Sequence, residues 1–95
     1  MNQYNPDDYP HPGSVLLTEL EDIGFSQNGF ARYIGVEPSV IEGLCSEQAE
    51  LTAILALRIA RALGTSPRKW LELQMNYSLV HTPKEEYDHI KPLGS

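Results

Sequence analysis

Residues 26–50, SQNGFARYIGVEPSVIEGLCSEQAE, decide the fold. Ser26 is a favoured helix N-cap, and Phe30, Ala31 and Ile34 recur at helical spacing before Gly35, a favoured C-terminal glycine. Pro38 suits the first turn of a second helix that runs to about Cys45, with Ile41, Leu44 and Cys45 facing inward. Two short helices joined by a glycine turn have helix-turn-helix spacing. Gly29 inside the first of them costs about 1 kcal/mol against alanine, so packing has to offset it.

Outward from this stretch the pattern stays helical. Residues 13–23 form a helix with Val15, Leu16, Leu20 and Ile23 on one face and Glu19, Glu21 and Asp22 opposite, and Gly24 stops it. Thr52 caps a fourth helix whose Leu55, Ala56, Ile59, Ala60 and Leu63 point inward, and Gly64 ends it. Ser66 and Pro67 open a fifth helix that runs to about Val80. The organisation is a flexible N-terminal arm at 1–12, a helix-turn-helix domain with a C-terminal helix at 13–81, and a polar tail at 82–95. No strand signal and no repeat interrupt it. The fold class is all-α, a five-helix helix-turn-helix domain.

Composition narrows the function. Ninety-five residues suffice for one small core. Apolar runs of only a few residues exclude a membrane span, and the opening MNQYNPDDYP is polar and acidic rather than signal-like, which suits the cytoplasm. The single Cys45 rules out an internal disulfide and reads as a small, partly buried hydrophobe. A formal charge of −6 opposes long-range attraction to DNA and favours a cationic protein partner. His11, His81 and His89 lie too far apart in sequence for a zinc site, no triad or phosphate loop is present, and no cofactor or enzyme activity is expected.

Four segments carry a family resemblance: HPGSVLLTEL at 11–20, SQNGFARYIGV at 26–36, ALRIARALGTSPRKWLELQMNYSL at 56–79 and IKPL at 90–93. Together they resemble the HigA/VapI-type antitoxins, which have the phage-repressor helix-turn-helix fold. LRIARALGTSP followed by WLELQ is the specific part. The resemblance implies a type II antitoxin that neutralises a RelE/HigB-like ribonuclease toxin. It also implies a homodimer that represses its own operon at a palindromic operator, and it implies dimerisation through the fifth helix.

In a helix-turn-helix the second helix enters the major groove and its first side chains touch base edges. Here those positions hold Glu37, Pro38, Ser39, Val40, Glu42 and Gly43, where the family tends to carry Gln, Arg, Asn or Thr. Glu47, Gln48 and Ala49 stand where it usually carries a Gly-Lys-Arg-like loop. Across 26–50, Arg32 is the only cation against Glu37, Glu42, Glu47 and Glu50. The DNA-contact candidates are Gln27, Ser39, Val40, Glu42 and Gly43. Gln27 reads either as a phosphate contact or as an exposed amide, Ser39 as a phosphate or base contact or as solvated surface. Val40 suits a thymine methyl, and Glu42 reads as a cytosine acceptor or as solvated surface.

Helix five carries apolar residues on more than one face. Trp70 and Leu73 read as core, whereas Leu71, Met75 and Tyr77 are the dimer-contact candidates. Arg58, Arg61, Arg68 and Lys69 read either as flanks for the DNA backbone or as an offset to the acidic surface. Asp7, Asp8, Glu19, Glu21 and Asp22 are the expected face for a basic toxin, on charge complementarity. The rival functions are a stand-alone transcriptional regulator and an interaction module that has lost DNA binding.

Overall fold

The computed structural model describes residues 8–94, and the element order is α1 (Pro12–Ile23), α2 (Gln27–Ile34), α3 (Pro38–Cys45), α4 (Ala53–Leu63) and α5 (Pro67–His81). A short 3-10 turn, Lys84–Glu86, follows in the tail. Local chemistry explains most boundaries. The hydroxyls of Ser26, Thr52 and Ser66 each accept from a backbone N–H in the first turn of the helix they open. Gly24, Gly35 and Gly64 end α1, α2 and α4 in the left-handed conformation, which a residue without Cβ adopts at no steric cost.

The start of α1 differs from expectation. Pro12 is its first residue and His11 its cap, with Nδ1 accepting from the Gly13 N–H at 2.9 Å. Both residues are buried, so the folded body reaches into the segment that composition assigns to an arm. Residues 1–7 of that segment lie outside the described residues, and Asp7 with them.

The core gathers one stripe from each helix: Leu16 and Leu20 of α1, Phe30 and Ala31 of α2, Ile41 and Leu44 of α3, Ala56 and Ile59 of α4, and Trp70 of α5. α1 packs on α3 and α5, α2 on α3 and α4, and α4 along α5. Periodicity alone puts Ile23 on the inner face, yet it is exposed, because it is the last residue before the Gly24 turn and nothing packs beyond it. Gly29 has the compensation its helix position demands. Phe25 folds back over it, so that an added Cβ would lie 2.8 Å from the ring, and Phe25 meets Phe30 edge-on at 5.9 Å.

Gly13 serves close approach of a different kind. A Cβ there would stand 1.7 Å from the Leu44 carbonyl oxygen, so the first turn of α1 lies directly against the end of α3. The helix-turn-helix is thereby anchored at both ends, α2 through Phe30 and Ala31, α3 through Ile41 and Leu44.

Candidate nucleic-acid interface

The turn between α2 and α3 is closed by two backbone bonds, Gly35 N–H to Arg32 at 3.2 Å and Val36 N–H to Ala31 at 2.9 Å. A third fastening comes from elsewhere in the chain. Arg58 of α4 donates from Nη1 to the Ile34 carbonyl at 2.6 Å and, at 3.4 Å, to that of Gly35. These carbonyls form the negative end of α2, so a guanidinium here both satisfies free acceptors and complements the helix dipole. Arg58, which the sequence reads either as a flank for the DNA backbone or as an offset to the acidic surface, is thus held by its guanidinium against the turn from which α3 leaves.

α3 turns Ile41, Leu44 and Cys45 into the core, and burial pushes the Cys45 thiol up, keeping it protonated and inert. Its outer side therefore presents Ser39, Val40 and Glu42, all exposed, with Gly43 half-buried beside them. Val40 is 38% exposed, a branched apolar side chain open to solvent. Gln27 is half-buried at the first position of α2. The Gly43 carbonyl accepts from the N–H groups of Gln48 and Ala49, at 2.9 and 3.1 Å, and so closes the turn after α3. The five DNA-contact candidates thus fall on α3 and the first residue of α2, and all but half-buried Gln27 and Gly43 are exposed.

The loop after α3 is held from two sides. Glu47 adopts φ 65°, a left-handed conformation that costs a residue with a Cβ roughly 1 kcal/mol. The imidazole of His11 lies beside this loop, faced by Glu47 and Glu50, with the Ala49 backbone as a second hydrogen-bond partner beside the Gly13 N–H. It packs edge-on against Tyr77 at 4.8 Å, and Tyr77 stacks on His81 at 4.0 Å. Burial, the largest influence, pushes the His11 pKa down from its ordinary value; His81 adds to this, while Glu47, the Ala49 bond and Glu50 oppose it.

The cations are distributed unevenly. Lys69 bonds Glu19 at 2.8 Å and sits 4.9 Å over the Trp70 ring, tying α1 to α5 at the surface. With Arg58 held at the turn, Arg32, Arg61 and Arg68 are exposed. Glu37, Glu42, Glu47 and Glu50 have no ion-pair partner among the described residues. Of the acidic face on α1, Glu21 and Asp22 are exposed while Glu19 is engaged by Lys69. On α5, Leu71, Met75 and Leu79 form an exposed stripe at four-residue spacing. Tyr77 is half-buried and occupied by the two histidines.

Residues 17–70 match the family model described as "Helix-turn-helix", from the middle of α1 to the start of α5. Virulence-associated protein I of Dichelobacter nodosus is 35% identical over 88 residues, covering 90% of this chain and 82% of its own. Antitoxin HigA-1 of Vibrio cholerae is 34% identical over 85 residues, covering 85% of this chain and 80% of its own. The chain belongs to the HigA/VapI family of helix-turn-helix proteins. A solved member, Pseudomonas aeruginosa antitoxin HigA with the higBA promoter, superposes with a TM-score of 0.79 at 31% identity over 90% of this chain and 98% of that one.

Within this HigA/VapI family member, the WLELQ phrase has a physical meaning. Trp70 is fully buried, its indole N–H donating to the Thr65 hydroxyl at 2.8 Å. Gln74 is buried too, and its carbonyl oxygen accepts from the Leu51 N–H at 2.7 Å. Both link α5 to the segments flanking α4. Sequence reasoning singled out neither Gln74 as a clip, nor His11 as a cap, nor Arg58 as a turn fastener. Only the first had a signal, an amide four residues after Trp70 and so on the same face of the helix.

Proposed function

We infer that this chain is the antitoxin of a type II toxin–antitoxin pair, which binds an operator through α3 and neutralises a RelE/HigB-like ribonuclease. The observation that carries the DNA half is the exposed outer side of α3, with Ser39, Val40, Glu42 and Gly43 on a helix fixed at both ends. The HigA of Pseudomonas aeruginosa, which shares this fold, was solved with its promoter. Gln27 contacts phosphate at the start of α2. Val40 packs on a thymine methyl, and Glu42 accepts from a cytosine amine. The protein acts as a homodimer on a palindromic site. Leu71 and Met75 supply the contact, joined by Leu79 of the same stripe and by the edge of Tyr77.

The test is a fluorescence titration of the full chain against a duplex from its own upstream region, repeated across salt concentrations. Specific binding with a negative log–log salt slope is expected. The slope should be shallow, because acidic α3 and the engaged Arg58 leave few cations for phosphates. Loss of all preference over a scrambled duplex would overturn the DNA half. Failure of the chain to restore growth against the toxin encoded beside it would overturn the antitoxin half.

A further inference from the structure

We propose that the C-terminal tail of one copy, residues 85–93, docks in the groove between α2 and α4 of a second copy, so that the dimer exchanges tails. The proposal rests on the dimer of the reading above and adds the tail and the groove to its contact. The groove measures about 580 Å3. Tyr33 and Leu57, 71% and 52% exposed, supply apolar walls, and Pro67, the first residue of α5, also lines it. Among the described residues its charged lining is Arg58 and Arg61, with no carboxylate. Arg58 donates to carbonyls, which leaves its charge uncancelled, and Arg61 has no hydrogen-bond or ion-pair partner among the described residues. The surrounding sequence is equally one-sided. Residues 51–71 hold Arg58, Arg61, Arg68 and Lys69 and no aspartate or glutamate, in a chain of formal charge −6; of these cations Lys69 is paired, with Glu19.

The tail is the complementary piece. Glu85, Glu86 and Asp88 surround Tyr87, and Ile90 and Leu93 follow at three-residue spacing, which sets the three apolar side chains on one side of a chain with three residues per turn. Lys84 and Lys91 flank this acidic centre without interrupting it. Tyr87 is 53% exposed, Ile90 66% and Leu93 fully, and the backbone bonds beyond Thr82 stay within the tail. Nothing in its own copy buries these side chains, and neither the core nor α3 accounts for the IKPL phrase. Symmetry brings the two surfaces together. Leu71, Met75 and Leu79 form a stripe that pairs with itself about a two-fold axis at Met75, Leu71 of one copy meeting Leu79 of the other. Charge selects this antiparallel arrangement, because a parallel one would set Arg68 on Arg68 and tail carboxylates on each other. The His81 end of one α5 then lies beside the Pro67 end of the other, where the groove is. In its own copy the tail starts a helix length, about 20 Å, from that end. DNA phosphates would satisfy Arg61 but leave Tyr33 and Leu57 unburied, and none of the five operator candidates lines the groove.

The test is made on the full chain, by isotope-filtered NMR of a mixture of labelled and unlabelled copies and by sedimentation equilibrium. Cross-peaks between the Tyr87 ring of one copy and the Leu57 methyls of the other are expected. R61E, E85K/E86K and Y87S/I90S should each raise the dimer dissociation constant about tenfold, and joining R61E to E85K/E86K should recover most of that loss. All five positions are exposed, so the helical circular dichroism of these variants should match the parent's. A chain that stays monomeric at every concentration would overturn the dimer and the exchange together. A dimer weakened by M75S but indifferent to the three tail and groove variants would overturn the exchange alone. So would Tyr87 contacts confined to one copy, or groove shifts that appear with added duplex and not with self-association. Duplex titration and growth rescue test the antitoxin reading separately.

Discussion

Gln74 Oε1 accepts from the Leu51 backbone N–H at 2.7 Å, joining α5 to the loop before α4 across 23 residues. Its amide also donates to the Ser78 hydroxyl at 3.0 Å, which fixes the orientation of the carboxamide. Leu51 is buried, so its N–H has no water to fall back on. Gln74→Leu should therefore destabilise the fold by about 1–3 kcal/mol, the cost of stranding a buried donor, despite the added apolar surface. Urea denaturation reads this as a lower midpoint at constant slope. An unchanged midpoint would show that the loop simply opens to solvent.

The contact of Gly13 with Leu44 makes a second, harsher prediction. A methyl group at residue 13 would meet a backbone oxygen at 1.7 Å, and backbone cannot rotate away as a side chain can. Gly13→Ala should cost about 3 kcal/mol or more by overpacking, although alanine is the better helix former. Circular dichroism melts would show it; a melt equal to the parent's would mean that α1 can shift on α3 freely.

Glu47 supplies a prediction of the opposite sign. Its φ of 65° is the conformation that ends many helices on glycine, and here no glycine is present. Glu47→Gly should stabilise the fold by about 0.5–1 kcal/mol, since relief of the strained backbone exceeds the entropy that glycine adds to the unfolded chain. It also removes one carboxylate from the loop facing His11. A drop in melting temperature would sink the idea.

The sequence stated the helix boundaries well because caps are local. Ser26, Gly35, Pro38, Thr52, Gly64 and Ser66 each act within four residues of their own position, so composition and spacing reveal them. His11 escaped because a histidine rarely caps through Nδ1, and Pro12 beside it looked like a breaker rather than a first residue. Arg58 escaped because its partners lie 23 and 24 residues away, where no periodicity reaches. Ile23 was misplaced because a helical wheel does not know where neighbouring helices stop. The outer side of α3 was legible by subtraction: once Ile41, Leu44 and Cys45 are inside, Ser39, Val40 and Glu42 must be outside.

Burial of His11 gives stability a pH dependence whose direction is fixed. An unfolded His titrates near 6.5, and the folded state holds His11 below that value, chiefly through desolvation. As pH falls below about 6.5 the unfolded chain takes up the proton first, so stability is full above this value and declines towards the folded pKa. The charges facing the ring are Glu47, Glu50 and His81, the first two opposing the decline and the last reinforcing it. His11→Asn keeps a capping acceptor but cannot titrate, so its melting temperature should fall less than the parent's between pH 7 and about 5.5. Parallel curves for parent and variant would assign the acid sensitivity elsewhere.

Arg58 separates the placing of α3 from the chemistry on its surface. Arg58→Ala removes the donor from the Ile34 and Gly35 carbonyls and leaves Ser39, Val40 and Glu42 untouched. The freed carbonyls are near the surface and can be hydrated, so the stability cost should be modest, about 1 kcal/mol. Operator affinity should drop by more than this, since a reading helix loose in angle loses several base contacts together. Arg58→Lys keeps the charge and helix-dipole attraction but offers a single ammonium instead of the guanidinium fork, so it should recover stability better than affinity. Two measurements on each variant decide it, a urea midpoint and a duplex titration at one fixed salt concentration. If the two quantities fall in step across alanine and lysine, Arg58 merely supports the fold and does not position α3.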